Sequence, residues 1–143
     1  MERALIAAAA IAAHLTARRQ PIGFCTTGHD PASGGPSPAL PIANGRAQLI
    51  AVLGTLGRLE PATKGALAPL LWNAGARLGW GSTIVMITGQ GGVELVAALL
   101  PLKRRGLNVA LILAEPTPDE LGLPRKHGIT TFGLWRDGRP TMR

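Results

Sequence analysis

The chain has 143 residues, of which 46% belong to the hydrophobic set, with 15 Lys and Arg against 8 Asp and Glu and a formal net charge of +7. This length and apolar content are typical of one globular domain and exclude an intrinsically disordered chain. Tyr is absent and only 3% of the residues are aromatic. The scarcity of stacking side chains disfavours a single-stranded nucleic-acid partner, despite the positive charge.

The first third of the chain predicts a helix followed by short extended segments. Ala4 to Leu15 is apolar on nearly every face, which indicates a buried helix, and it is much shorter than the roughly 20 apolar residues that span a membrane. Pro21 to Thr27 has the composition of a strand. The next segment, HDPASGGPSP, predicts a loop without regular structure. Ala39 to Ala43 is extended, and its Pro41 restricts it to a sheet edge.

The middle of the chain predicts two helices and a buried strand. Arg46 to Leu59 carries leucines and Val52 at helical spacing after a predicted Asn44 cap. Thr63 to Leu78 predicts a second helix, which Pro69 must either begin or kink. Thr83 to Thr88 (TIVMIT) is a continuous apolar, β-branched run, typical of a parallel strand that is covered on both faces.

The last third continues this alternation. Val93 to Arg105 predicts a helix and Val109 to Ala114 a strand, so that together with Thr83 to Thr88 they form a βαβ unit. A single helical turn at Asp119 to His127 and a strand at Ile129 to Trp135 follow, and residues 136–143 form a basic tail. The whole pattern predicts a single α/β domain over residues 1–143, with three layers and a doubly wound, mostly parallel sheet.

The thiol and the imidazoles give little indication of catalysis. Cys25 is the single cysteine, and its apolar neighbours favour an inert, buried thiol in a reducing cytoplasm. The three histidines are too scattered for a metal signature. His29 and Asp30 have the chemistry of an acid–base pair, although a polar loop start is the more common reason for such residues. The sequence therefore predicts no catalytic residue.

The carboxyl ends of the predicted strands are the expected ligand crevice of an open parallel sheet. In ITGQGGVEL a strand enters a Gly-rich turn and then a helix, where backbone N–H groups can bind an anion. The crevice candidates by this rule are Thr27, Thr88, Gly89, Gln90, Gly91, Gly92 and Glu115.

A dinucleotide fingerprint fits this turn only in part. Gly89 and Gly91 supply G-x-G, and Glu115 ends the following strand, where a ribose-binding acid would lie. The third glycine of the fingerprint falls at Glu94, whose charge would repel a pyrophosphate. A plain βα turn is therefore favoured, and a Rossmann-like nucleotide-binding enzyme is the alternative. The chain has neither a Walker loop nor a G-x-S-x-G nucleophile elbow.

Three separated phrases, NGRAQLIAVLGTLGRLEP, WGSTIVMITG and LLPLKRRGLNVALILAEP, occur in the order found in one bacterial family. Over about Arg3 to Pro116 the chain resembles the C-terminal domain of the domain of unknown function 58 family. The resemblance implies a von Willebrand factor type A-like fold. It also implies a link to a MoxR-type AAA ATPase, whose gene often lies beside those of family members, and longer members carry two transmembrane helices upstream.

The chain departs from that family at the metal-ion-dependent adhesion site. The first strand with its D-x-S-x-S motif is missing, and the chain opens on the helix that should follow it. Thr63 matches the Thr position, which adds it to the crevice candidates, but Gly89 replaces the later Asp. Since a hard cation needs several oxygen ligands, we expect no metal site and no cofactor.

The missing strand would lie between Pro21 to Thr27 and Thr83 to Thr88. Either those two strands pair directly or an apolar edge is exposed, which would let a truncated chain dimerise or bind an upstream segment. We therefore expect a non-catalytic protein-interaction domain that binds a protein partner, such as a MoxR-type ATPase, or a second copy. We expect it in the cytoplasm, or at the cytoplasmic face of the membrane in a longer parent protein, with no membrane contact from this segment itself.

The basic residues concentrate at predicted helix C-termini, where cations complement the helix dipole. This applies to Arg18, Arg19, Arg58, Arg77, Lys103, Arg104 and Arg105. In a doubly wound sheet these ends lie opposite the ligand crevice, so we expect a basic face there that continues into Arg136, Arg139 and Arg143 of the tail. An anionic partner would bind this face with salt-dependent affinity.

Overall fold

A computed structural model describes residues 2–61, 67–89 and 92–135. In these ranges the helices are α1 (Glu2–Ala17), α2 (Arg46–Arg58), α3 (Leu67–Ala76), α4 (Val93–Arg104) and α5 (Pro118–Lys126). The strands are β1 (Ile22–Phe24), β2 (His29–Asp30), β3 (Gly35–Pro36), β4 (Leu40–Ala43), β5 (Thr83–Thr88), β6 (Asn108–Ala114) and β7 (Thr130–Leu134). The predicted basic tail, residues 136–143, lies outside the described residues.

The chain divides into two compact units, a first built from Glu2 and Ala4–Leu70 and a second built from Arg3 and the residues from Leu71 onward. The predicted N-terminal helix, the helix from Arg46 and the three strands beginning near residues 83, 108 and 130 are all confirmed. The predicted second helix is confirmed over α3, whose described residues include Pro69. Its expected beginning at Thr63 lies outside the described residues.

The first unit packs α1 and α2 around a two-stranded antiparallel sheet of β1 and β4. Its buried core consists of Ala12, Ile22, Val52 and Leu56, with half-buried apolar side chains around them. The amide Nε2 of Gln48 on α2 donates to the carbonyl oxygens of Ile22 (2.9 Å) and Pro41 (2.8 Å). One side chain therefore links α2 to both strands. The prediction that the Pro41 segment is an edge strand is confirmed, since among the described strands β4 pairs with β1 alone.

The expectation of an irregular loop after β1 is wrong for part of the segment. β2 and β3 form a two-residue antiparallel ladder that pairs His29 with Pro36 and Asp30 with Gly35. The Asp30 carboxylate accepts the backbone N–H of Ala32 at 2.9 Å, and Gly34 has a φ of 72°. Polar turn residues thus close a small hairpin, because an Asp side chain can organise the backbone two residues on.

The predicted Asn44 cap is also wrong. Gly45 is the N-cap of α2, and no side chain bonds to the exposed N–H groups there. The φ of 95° at Gly45 explains the shift, since an L side chain rarely adopts that conformation and the chain turns into the helix at this glycine.

The second unit is built on a parallel sheet in the order β5-β6-β7. Its register is regular from Thr83 paired with Asn108 to Ala114 paired with Leu134. The strand–helix–strand unit β5-α4-β6 is therefore confirmed. Helix α4 packs on β6, α5 packs on β7, and the two helices contact each other. A Cβ at Gly75 of α3 would collide with Leu102 of α4, so this glycine allows the two helices to approach closely.

The two faces of this sheet differ in burial. Met86, Leu111, Leu113 and Thr131 are buried on one face. Residues of the opposite face stay partly exposed, with Val85 at 38% and Phe132 at 55% of their full surface. Paired residues of parallel strands point to the same side, so the alternating burial of β6 follows directly from the register.

Helix α5 is longer than the single turn predicted. Thr117 caps it, since its Oγ1 accepts the Glu120 N–H at 3.3 Å and donates to the Glu120 carboxylate at 3.1 Å. Pro118 occupies the first helical position. The segment Thr117-Pro-Asp-Glu120 has the T-x-x-E sequence of a capping box, which could have been found in the sequence, although Glu120 bonds to the Thr117 hydroxyl and not to its backbone N–H.

The fold class is confirmed at the level of an α/β protein with a parallel sheet. β1 belongs to a separate sheet, and within the described residues β5 pairs with β6 alone. Among the described helices, none has both the length and the apolar run needed to cross a bilayer.

We predict that Gln48→Ala lowers the free energy of unfolding by about 1–2 kcal/mol, because two carbonyl groups lose their donor. Urea unfolding followed by circular dichroism measures the effect. Gln20→Ala is the matched control, since Gln20 is exposed and makes no side-chain hydrogen bond within the described residues, and it should change stability by less than about 0.5 kcal/mol. Equal effects of both substitutions would contradict the bridging role of Gln48.

Candidate functional site

The carboxyl edge of the β5-β6-β7 sheet brings part of the predicted crevice together. Thr88 ends β5 and pairs with Leu113, and Glu115 follows β6 directly. The Glu115 N–H donates to the carbonyl oxygen of Leu134 at 2.7 Å, so the end of β7 reaches the same edge. Parallel strands necessarily place these ends side by side.

The Gly-rich turn connects this edge to α4. Gly89 follows β5, and Gly92 is the N-cap of α4, while Gln90 and Gly91 lie outside the described residues. The Gly92 carbonyl accepts the Val96 N–H at 3.2 Å and so begins the helix. The φ of Gly92 is 167°, an extended conformation that other residues also adopt. The backbone of Gly92 therefore does not need a glycine at this position.

The charge at the beginning of α4 is negative. Glu94 lies in the first turn and is exposed. A carboxylate at this position complements the partial positive charge of the helix N-terminus. The same carboxylate would repel a phosphate that approached the turn, so the local electrostatics favour a structural βα turn over a pyrophosphate site.

Glu115 has an unusual backbone conformation, since its φ of 49° lies in the left-handed region that non-glycine residues seldom adopt. Such residues often occur at functional sites. Glu115 is predicted as a crevice residue because it follows a strand in the sequence. Its strained backbone conformation is visible only in the tertiary structure. Glu115 is exposed at the carboxyl edge.

The remaining crevice candidates belong to the first unit or lie outside the described residues. Thr27 is an exposed residue after β1 in the first unit, and Thr63 lies outside the described residues. The structure thus brings Thr88, Gly89, Gly92 and Glu115 to one edge. Within residues 2–61, 67–89 and 92–135, no three His, Cys, Asp or Glu side chains are grouped so that they could hold a metal ion.

The structure gives His29 and Asp30 structural contacts. His29 exchanges backbone hydrogen bonds with Glu60, both at 2.9 Å. The Asp30 carboxylate is only 4% exposed, and its oxygens accept from Arg58 Nε at 3.3 Å and Arg58 NH2 at 3.4 Å, besides Ala32 N–H. The Arg58 hydrogen bond, supported by the Ala32 N–H, lowers the pKa of the Asp30 carboxyl below its ordinary value. Asp30 therefore ties the β2–β3 hairpin to the end of α2.

Cys25 follows β1 as a free, half-buried thiol. Burial raises the pKa of the Cys25 thiol above its ordinary value. Since the thiolate is the nucleophilic form, this shift lowers the reactive fraction at neutral pH.

Two exposed aromatic positions were not identified from the sequence. Phe132 lies on the partly exposed face of the sheet, and Trp80 in the turn before β5 is 87% exposed. The sequence run around Phe132 is typical of any buried strand. Only the register shows which alternate residues of the sheet stay partly exposed.

Comparison of the chain with family models, with curated proteins and with solved structures finds no match. The resemblance to the domain of unknown function 58 family therefore rests on the three sequence phrases, and what it implies about function belongs to the proposals below.

We predict that Asp30→Asn destabilises the chain at pH 6–7 and that this difference shrinks as the pH falls. A carboxyl with a lowered folded-state pKa stabilises the fold above its unfolded pKa and loses that contribution from about pH 4 downward. Urea unfolding of both chains across this range measures the difference. Arg58→Gln removes the main cause of the shift and should lose most of the same pH dependence. A difference independent of pH would contradict the assignment.

We predict that Cys25 reacts several-fold more slowly with Ellman's reagent at pH 8 in the folded chain than in urea, because burial raises its pKa and restricts access. The rate of thionitrobenzoate release gives both values. A faster reaction in the folded state would contradict the inert role and indicate an activated thiol.

Proposed function

We propose that this chain is a non-catalytic protein-interaction domain and that its binding element is the outer edge of β5. The observation that carries the proposal is that β5 has a strand neighbour on one side only, β6, within the described residues. An unpaired strand edge is a template for an extended segment of another chain, since main-chain hydrogen bonds supply the affinity.

The hydrogen-bond pattern identifies the residues on that edge. The Ser82 carbonyl accepts the N–H of Asn108 on the β6 side at 2.8 Å. Because successive residues of a strand point their backbone groups to alternate sides, Ile84 and Met86 face β6, while Thr83, Val85 and Ile87 direct their N–H and C=O groups outward. An incoming strand would pair with these three residues.

β5 has none of the features that protect natural strand edges. It contains no charged residue and no proline, and its register with β6 runs without a bulge over six residues. β7 is the other outer strand of the sheet, and it contains Gly133 in its interior. A glycine weakens a strand and offers no side chain for packing. These differences favour β5 as the binding edge.

The partly exposed face of the sheet adds apolar surface next to this edge. Val85 of β5 lies beside Ala110 and Thr130 in the register, and Ile87 lies beside Ile112 and Phe132. A partner strand on β5 would extend this face, and its alternate side chains would continue the same apolar rows. Specificity would come from those side chains and affinity from the backbone.

The proposed occupant is an extended segment of a different protein. The resemblance described above points to a MoxR-type AAA ATPase as the first protein to examine, and a second copy of this chain is the competing occupant. The doubly wound, von Willebrand factor type A-like architecture belongs to the same proposal, because it is what the resemblance implies. A cytoplasmic location is part of the proposal as well.

We predict that Val85→Pro weakens partner binding by roughly tenfold or more, because it removes an outward N–H and blocks the edge. Val93→Pro is the matched control. Val93 is the first residue of α4, where proline is well tolerated, and it is 72% exposed. Neither substitution removes a hydrogen bond within the described sheet or helices. Calorimetry with a purified MoxR-type ATPase from the same genome, and light scattering of the chain alone, measure the two forms of association.

The two measurements separate the occupants. ATPase binding that Val85→Pro weakens and Val93→Pro preserves supports the partner protein. Self-association that Val85→Pro weakens and Val93→Pro preserves assigns the edge to a second copy of the chain and overturns the assignment to a partner protein. A monomer that binds no ATPase, or binding that both variants retain equally, contradicts the proposed edge.

A further inference from the structure

The amino edge of the β5-β6-β7 sheet collects the basic residues of the second unit. α3, α4 and α5 end immediately before β5, β6 and β7, and because the strands are parallel these three turns lie side by side. The six Lys and Arg residues described between Leu71 and Trp135 lie there: Arg77, Lys103, Arg104, Arg105, Arg125 and Lys126. Arg3 also clusters with this unit, but its guanidinium bonds to Glu115 at the carboxyl edge, at 3.1 Å. We call these six residues together with Trp80 the basic face.

The acidic residues lie at the opposite edge. The four Asp and Glu residues in the described part of the unit, Glu94, Glu115, Asp119 and Glu120, follow a strand or lie in the first turn of a helix. The basic face therefore carries six positive charges with no acidic residue interspersed. This separation creates a one-signed field, which attracts polyanions.

Contacts between the three turns hold the basic face together. Gly81 N–H donates to the Gly106 carbonyl at 2.9 Å, and Asn108 Nδ2 donates to the Gly81 carbonyl at 3.0 Å. Lys103 Nζ donates to the carbonyl of Gly128 in the third turn. A Cβ at Gly106 would collide with the indole of Trp80, which lies against that turn. The face is thus a connected surface.

Helix capping accounts for only part of the basic face. Lys103 and Arg125 donate to carbonyl groups of the following turn or strand. The other four basic residues are exposed and make no side-chain hydrogen bond or ion pair within the described residues. Nor does capping explain Trp80, an apolar side chain left 87% exposed among charges. Both features are typical of a surface that contacts a partner.

The arrangement fits an anionic bilayer better than a nucleic acid. Single-stranded nucleic acids need a series of stacking platforms, and Trp80 is the single aromatic residue among the described turns of this face. Duplex readout needs a helix or ribbon that enters a groove, whereas this face consists of three short turns. Tryptophan prefers the interface between headgroups and acyl chains, and neighbouring Lys and Arg are attracted to anionic lipids.

The Trp80 turn has room to enter a headgroup layer. Gly79 and Gly81 flank Trp80, and no atom lies within 4 Å of a Cβ built at either glycine. We propose that the basic face binds the surface of an anionic membrane peripherally, with Trp80 inserted at the interface and the six cations above the headgroups. This proposal departs from the sequence-based expectation that the segment makes no membrane contact, although the proposed contact is peripheral and crosses no bilayer.

Sedimentation with vesicles tests this proposal. The full chain should bind phosphatidylcholine vesicles that contain about 30 mol% phosphatidylglycerol, an anionic lipid content similar to that of an anionic membrane leaflet. It should bind vesicles of pure phosphatidylcholine far more weakly. Added salt should reduce the binding. We expect Arg104→Gln/Arg105→Gln to weaken partitioning onto the vesicles roughly thirtyfold. This is the fold-change that corresponds to losing the attraction of two basic residues to an anionic surface. Arg18→Gln/Arg46→Gln, with the same change in net charge, is the matched control and should weaken it less than about threefold.

Tryptophan fluorescence supplies a second readout. Anionic vesicles should shift the emission of the wild type to shorter wavelength, and Trp80→Ala should abolish the shift although Trp72 and Trp135 remain. Thermal unfolding checks that each variant is folded. Four results would overturn the proposal. Two concern the variants: equal losses of vesicle binding in the two double substitutions, or an emission shift that survives Trp80→Ala. The others are the absence of vesicle binding, or tighter binding to a single-stranded oligonucleotide than to the vesicles at the same salt.

Discussion

The parallel register of β5, β6 and β7 is the constraint on which the other features of the second unit depend. Neighbouring parallel strands require a crossover between them, so α4 and α5 begin at the carboxyl edge and end at the amino edge. Acidic residues favour helix beginnings and basic residues favour helix ends. The hydrogen bonding of three strands therefore separates the charges of the unit onto two edges, before any ligand is considered.

The same register gives the sheet its two distinct surfaces for partners. One is a line of backbone groups on β5 beside a partly exposed apolar face, and the other is a basic face at the amino edge. The first would bind by hydrogen bonds and apolar packing, and it should depend little on salt. The second acts through charge, and its affinity should fall as salt screens it. A domain with both could hold a protein while resting on an anionic surface, with neither role requiring a catalytic group.

The first unit is stabilised by a different kind of interaction. Its strands are too short to be stable alone, and polar side chains from α2 connect them. Gln48 bonds to β1 and β4, and Arg58 bonds to Asp30 in β2. Buried polar groups of this kind are satisfied by specific partners, which explains why Asp30 stays charged and structural although its position beside His29 has the chemistry of an acid–base pair.

Local patterns in the sequence determined most helices and the three parallel strands, because apolar periodicity and β-branched runs reflect short-range geometry. They also determined that basic residues lie at helix ends. The cap at Gly45, the β2–β3 hairpin and the strain at Glu115 depend on backbone angles that the tertiary structure imposes. Strand pairing decided which face of β7 exposes Phe132. It also decided which edge of β5 has no strand partner within the described residues. That pairing joins residues far apart in the chain, so no local pattern could specify it.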